Sequence, residues 1–168
     1  MPETSLQELT SVAQALLDES VSILATTDAG VPESYFITPA RPAFDCEFLA
    51  VQVARIAEDS TSPNAPRETR KRKYFGNIIA VTFLIYVVRC APVPMGMKPP
   101  TDIAKTLSAE TVNQDAWALW NGIRVAQDTI FDACEGVYFE GGVPIPEQGG
   151  YVGWLFQIRA TIEGYTPS

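Results

Sequence analysis

The feature that most constrains this chain is the run NIIAVTFLIYVVRC at 77–90, which is apolar on both faces that a strand presents. Ile79, Val81, Phe83, Ile85 and Val87 alternate with Ile78, Ala80, Leu84, Tyr86 and Val88. Neither side tolerates water, so the run predicts a strand in the middle of a sheet, covered above and below. The chain has 168 residues, 46% hydrophobic and 19% charged. That supplies enough apolar surface to cover the strand within one domain spanning 1–168, since a domain of this size buries roughly 70% of what its unfolded chain exposes.

Elements that can do the covering follow from periodicity. Ser5 and Glu8 have capping-box spacing, and Leu6, Leu9, Ala13 and Leu16 recur at helical spacing, predicting an amphipathic first helix that ends before Asp28-Ala29-Gly30. A short extended piece at 35–38 precedes Pro39 and Pro42. Residues 48–56 then read as a strand, with Leu49, Val51 and Val53 on one face and Phe48, Ala50 and Ile56 on the other. The stretch 58–73 reads as a long exposed loop. If the strands on either side of it pair as an antiparallel hairpin, Cys46 and Cys90 fall near each other at its open end, although proximity alone makes no bond.

The segment APVPMGMKPP at 91–100 reads as a connector, and Thr101 is a good N-cap for a second, long helix. Ala116, Leu119, Ile123, Ala126, Ile130 and Ala133 mark that helix's buried face, with Trp117, Trp120 and Phe131 as a second apolar stripe. A short strand at 137–139, a turn-rich GGVPIPEQGG and a final strand follow. In the final strand Trp154, Phe156, Ile158, Ala160 and Ile162 face the core, opposite Leu155, Gln157, Arg159, Thr161 and Glu163. The expected fold is α/β (α+β): a mixed, mainly antiparallel sheet packed by two main helices in the order α-β-β-β-α-β-β.

The chemistry is sparse. No histidine is present, which removes the commonest general base near neutral pH and the usual zinc ligand. Cys46, Cys90 and Cys134 are an odd number without CxxC spacing, so neither a zinc site nor a disulfide framework is indicated, and buried thiols are expected. Asp45 and Glu47 flank Cys46 and point the same way in an extended strand, which would make a weak cation site; solvated carboxylates at a strand entry are the simpler reading. Their charge also disfavours a Cys46 thiolate. We therefore expect no catalytic residue, no cofactor and no metal. No apolar stretch reaches the roughly 20 residues that cross a bilayer, and MPETSLQELT lacks the pattern of a secretory signal, so synthesis in the cytosol and no membrane contact are expected.

Charge and aromatic residues suggest contacts instead. Twelve Lys and Arg against twenty Asp and Glu give a net charge of −8, yet Arg67, Arg70, Lys71, Arg72 and Lys73 cluster on one loop. That cluster suits an acidic neighbour subunit or nucleic acid, while the plainer reading is a solvated loop. Trp154 fits the core. Trp117 and Trp120 fit either the core or a subunit contact, where large aromatic anchors concentrate binding energy. Trp117, Trp120, Arg124 and Phe131 are the candidate contact residues.

Four strings, PARPAFDCEFLAVQVARI, VVRCAPVP, NQDAWALWNGI and EQGGYVGWLFQIRATIEGY, occur in order from about Val31 to Tyr165. Together they resemble the tail terminator proteins of long-tailed (siphovirus-type) bacteriophages, especially those infecting actinobacteria. The resemblance implies a small ring-forming subunit without cofactor or catalysis. Six copies would cap the finished tail tube in the neck region of the virion, end tube polymerisation and dock to the head completion or connector proteins. The partners implied are copies of itself, the major tail tube protein and the head completion protein, with DNA only in transit through the ring channel and with assembly in the host cytoplasm. An acidic subunit suits such a channel, since like charges keep DNA off the wall. The loops at 58–73, 91–100 and 140–150 are the expected docking surfaces. The basic run RETRKRKYF departs from what the resemblance leads one to expect of that loop. Two alternatives stand beside this reading: another neck or head completion protein, and a nucleic-acid-binding module that uses 67–73.

Overall fold

The computed structural model describes residues 3–43, 47–58 and 78–163. Helix α1 (Glu3–Leu24) leads into β1 (Ser34–Thr38), β2 (Phe48–Glu58) and β3 (Ile78–Cys90). Helix α2 (Asp102–Val125), a single turn α3 (Gln127–Ile130), β4 (Gly136–Gln148) and β5 (Tyr151–Glu163) complete the order. The two main helices thus accompany one five-stranded mixed sheet of order β1-β2-β3-β5-β4, in which only β1 and β2 run parallel. The two-sided apolar run is the central strand, paired along its length with β2 on one side and β5 on the other.

The faces of β3 meet different neighbours. Val81, Phe83, Ile85 and Val87 join Leu49, Val51, Phe156, Ile158 and Ala160 in the main core, which α1 closes with Leu9, Val12, Ala13 and Leu16 and α2 with Ala116, Leu119 and Ile123. On the reverse face Tyr86 and Val88 join Phe48, Ala50 and Ile145 in a smaller cluster. Phe36 of edge strand β1 adds to that side, its ring 5.9 Å from that of Phe48.

Several boundaries differ from the sequence expectation. Helix α1 already contains Ser5, so the first helix is not capped there. The second helix stops at Val125; Ala126, at φ −86° and ψ 3°, starts the separate turn α3, and Phe131 is swung inward against Phe83. A bulge between Val53 and Arg55 shifts the phase of β2, so that Ile56 pairs with Val81 and moves to the helix side of the sheet. The largest correction concerns 140–150, expected to be a docking loop after a short strand at 137–139. Strand β4 instead runs through to Gln148, with register shifts at Phe139/Gly141 and Ile145/Gln148. Being an edge strand, it accommodates Pro144 and Pro146, whose missing N–H groups would break a ladder in the sheet interior. Thr161, expected on the polar face, is buried, and its hydroxyl donates to the Gly136 carbonyl. Within 58–73 only Glu58 is described.

One polar cluster locks the helices to the sheet. Arg89, near the end of β3, and Asp115, in the middle of α2, are 5% and 0% exposed, with Arg89 Nε 2.8 Å from Asp115 Oδ2. Arg89 Nη2 donates to the Gly30 carbonyl, Nη1 lies 3.9 Å from Glu47 Oε2, and the Thr27 hydroxyl shares its proton between the Leu24 carbonyl at 2.9 Å and Asp115 Oδ1 at 3.2 Å. The pair therefore ties β3, α2, the α1–β1 turn and the entry to β2 at one point. Glu47, at φ 52°, is the one non-glycine residue with a positive φ among the described residues.

Removing one partner strands a charge in a dry interior. Arg89→Met and Asp115→Leu are each expected to cost about 3–5 kcal/mol in denaturant unfolding, and the double variant Arg89→Met/Asp115→Leu less than either alone. A double variant as unstable as the sum of the singles would show that the pair is not the unit of this anchor.

Candidate subunit-contact site

The buried side of α2 fixes what its other side presents. Val112, Asp115, Ala116, Leu119 and Ile123 face inward. Trp117 lies next to that stripe and projects outward, 71% exposed. Beneath it, α2, β4 and β5 frame an open groove of about 460 Å³ lined by Asn113, Ala116, Trp117, Trp120, Gly142, Trp154 and Phe156.

The groove is built from rings held in place by one another. Trp154 stacks on Phe156 with an interplanar angle of 13°, and Phe156 lies 6.1 Å from Trp120. Trp120 in turn meets Phe139 edge to face at 5.7 Å. The Arg124 guanidinium sits 5.8 Å from the Trp120 ring centre and 6.0 Å from that of Phe139, within cation–π range. Trp154 Nε1 donates to Asn113 Oδ1 at 3.3 Å, so the indole's polar edge is satisfied. Gly142 lets this happen: a Cβ there would stand 2.6 Å from Phe156 Cε1, so any side chain would push the ring off the strand.

Of the four contact residues expected from sequence, the structure brings Trp117, Trp120 and Arg124 together at this groove. Phe131 is a correction: it is buried in the main core and is not part of any surface. Trp154, expected to be core, is only partly buried and forms a wall of the groove. Strand alternation places a residue on the helix side of the sheet without telling whether a helix covers it there, which is why the sequence alone assigned Trp154 to the core. The basic cluster Arg67, Arg70, Lys71, Arg72 and Lys73 lies outside the described residues, as does Asp45.

A second cavity of about 320 Å³ opens on the reverse face between Arg41, Tyr86, Leu155 and the β4 segment 143–146. The Tyr86 hydroxyl donates to Gln52 Oε1 at 2.9 Å, and burial raises its pKa against an opposing pull from Arg41. Among the described residues no three His, Cys, Asp or Glu side chains are placed to share a metal ion, and no helix is long and apolar enough to cross a membrane.

The cysteines correct the expectation of buried thiols. Cys90 is disulfide-bonded, and Cys46, the neighbour expected from the hairpin argument, lies outside the described residues. Cys134 is a free, half-buried thiol whose pKa is pushed up to about 11 by burial first and then by Asp132 and Glu8. A thiol so disfavoured as thiolate is a weak nucleophile at neutral pH.

Compared with known proteins, the chain matches no family model, and no curated protein matches it.

Trp117→Ala is expected to change stability by no more than about 0.5 kcal/mol, since little of the side chain is packed. Trp120→Ala, which opens the ring assembly, should cost about 3 kcal/mol; equal costs in chemical denaturation would mean that Trp117 is held from within. Alkylation of Cys134 in the native protein should be far slower at pH 7.5 than that of a free cysteine and should rise tenfold per pH unit until about pH 11. A rate that levels off near pH 8.5, the ordinary cysteine value, contradicts the burial argument.

Proposed function

We propose that this chain is a structural virion subunit that assembles with copies of itself at the end of a phage tail tube and acts there as a tail terminator. The observation that carries the assembly half of this reading is Trp117, a large apolar ring left 71% exposed above a preformed aromatic groove on an acidic domain. Monomeric proteins seldom leave such surface open, and aromatic anchors set in pockets dominate subunit contacts. The tail half rests on the four ordered strings that resemble terminator proteins. The α+β architecture accords with it.

On this reading the subunit works by shape alone. A ring, six copies by the resemblance, seats on the tube, denies the next tube subunit its binding surface and offers its far side to a head completion protein. Nothing in the chemistry asks for a catalytic role: the chain lacks histidine, and its one free thiol among the described residues is held protonated.

The test is genetic and structural at once. Deleting the gene, or replacing it with a Trp117→Glu version that still folds, should yield tails of irregular and excessive length in negative-stain images. Free tails of normal length beside leaking heads would transfer the chain to the head completion proteins, and normal virions from the Trp117→Glu gene would remove the groove from assembly.

A further inference from the structure

The groove has a counterpart on the same chain. Between β3 and α2 the segment 91–100 folds into a small protruding turn, in which Met95 and Lys98 form an isolated bridge and Gly96, at φ 65°, supplies the positive φ that lets the chain reverse. At its tip Met95 is 86% exposed and Met97 wholly so. The base is fixed: Ala91 N donates to the Gly150 carbonyl at 2.8 Å, Val93 lies over Gly150, and Pro92, Pro94, Pro99 and Pro100 stiffen both arms. Two unbranched thioether side chains are thus held out in water on a preorganised support.

We propose that this methionine knob of one copy inserts into the Trp117–Trp120–Trp154 groove of a second copy. The proposal rests on the assembly reading above and names the half of the contact that reading leaves open. Full exposure of Met97 means that the knob does not reach the groove of its own chain, and Trp117 stands fifteen residues, about 22 Å, along α2 from the end that the knob adjoins. Chemistry and size agree. Thioethers pack favourably against aromatic rings, and since an apolar cavity of about 150 Å³ takes a benzene, a groove of about 460 Å³ has room for both methionines.

Charge sets the direction of insertion. Lys98 is the one charge on the segment 91–100, so the knob is locally cationic on a chain of net charge −8. Glu110 is exposed on α2 two turns before Trp117, on the N-terminal side of the groove, and Arg124, over the Trp120 ring, stands on its C-terminal side. Lys98 therefore turns toward Glu110 and away from Arg124. Because knob and groove are different patches, the contact is heterologous, and repetition gives a closed ring or an open filament rather than a two-fold dimer. A single contact of this kind falls well short of the roughly 800 Å² per partner of a stable interface. It is therefore weak between free copies and gains strength when neighbours are held side by side.

The full-length protein carrying p-benzoylphenylalanine in place of Met97, irradiated at about 1 mM, a concentration typical of tethered neighbours, tests this directly. The expected product is a covalent dimer whose crosslink maps by mass spectrometry to 113–120 or 142–156 of the second copy, with yield falling at least about tenfold when that copy carries Trp117→Glu. No covalent dimer, or a crosslink elsewhere that Trp117→Glu leaves unchanged, overturns the contact. Tube capping by the wild-type protein is scored separately. Capped tubes without the crosslink overturn the knob and leave the tail-end reading standing, whereas the crosslink without capping supports the knob and overturns that reading.

Discussion

The pairing of Arg89 with Asp115 is the constraint on which the rest of the structure turns. An ion pair taken out of water is worth little unless its surroundings supply further polar contacts, and here the Gly30 carbonyl accepts from Arg89, the Thr27 hydroxyl approaches Asp115, and Glu47 adds its charge at 3.9 Å. Four separate segments are thereby forced to one point. Because Asp115 must face inward, the rotation of α2 about its axis is set, and Trp117, two residues on, has no route into the core. The exposed ring is thus a consequence of how the helix is anchored.

The sheet explains why the interior is already full. Strand β3 is apolar on both sides and is flanked on both edges, so α1 and α2 close one face and a smaller cluster around Tyr86 and Ile145 closes part of the other. Trp120 and Trp154 pack against the margin of the main cluster, and Trp117 lies outside it. The aromatic residues sit where α2 passes over β5 toward the β4 edge, and there they stack on one another, leaving a groove. In the proposed contact, the apolar groove on one part of the molecule and the proline-braced methionine turn on another would both be preorganised, which lowers the ordering cost of association.

Much of this was legible in the residues. Alternation on both faces put β3 at the centre of the sheet, and the three-and-four spacing of Ala116, Leu119 and Ile123 identified the side of α2 that packs. The broad apolar stripe singled out Trp117 and Trp120. The misses have specific causes. Proline and glycine in GGVPIPEQGG read as a loop because their local preference is for turns, and only the position of β4 at the sheet edge, a tertiary fact, allows a strand there. Phe131 was assigned to the surface stripe because a break at Ala126 has no strong sequence mark. The ion pair does leave a signal in the sequence: an arginine after Tyr86-Val87-Val88 in the central strand, and an aspartate inside the buried stripe of a helix, are both out of place unless they meet.

The central claim is that the aromatic groove and the methionine turn exist to be covered by neighbouring copies. Hydroxyl-radical footprinting reads this at single residues, because methionine and tryptophan side chains oxidise readily when wet. In the free protein Met95, Met97 and Trp117 should be oxidised rapidly and Trp120 more slowly. On tube ends Met95, Met97 and Trp117 should all be protected together, by tenfold or more. Assemblies in which Trp117 and Met97 stay as reactive as in the free chain would contradict the account.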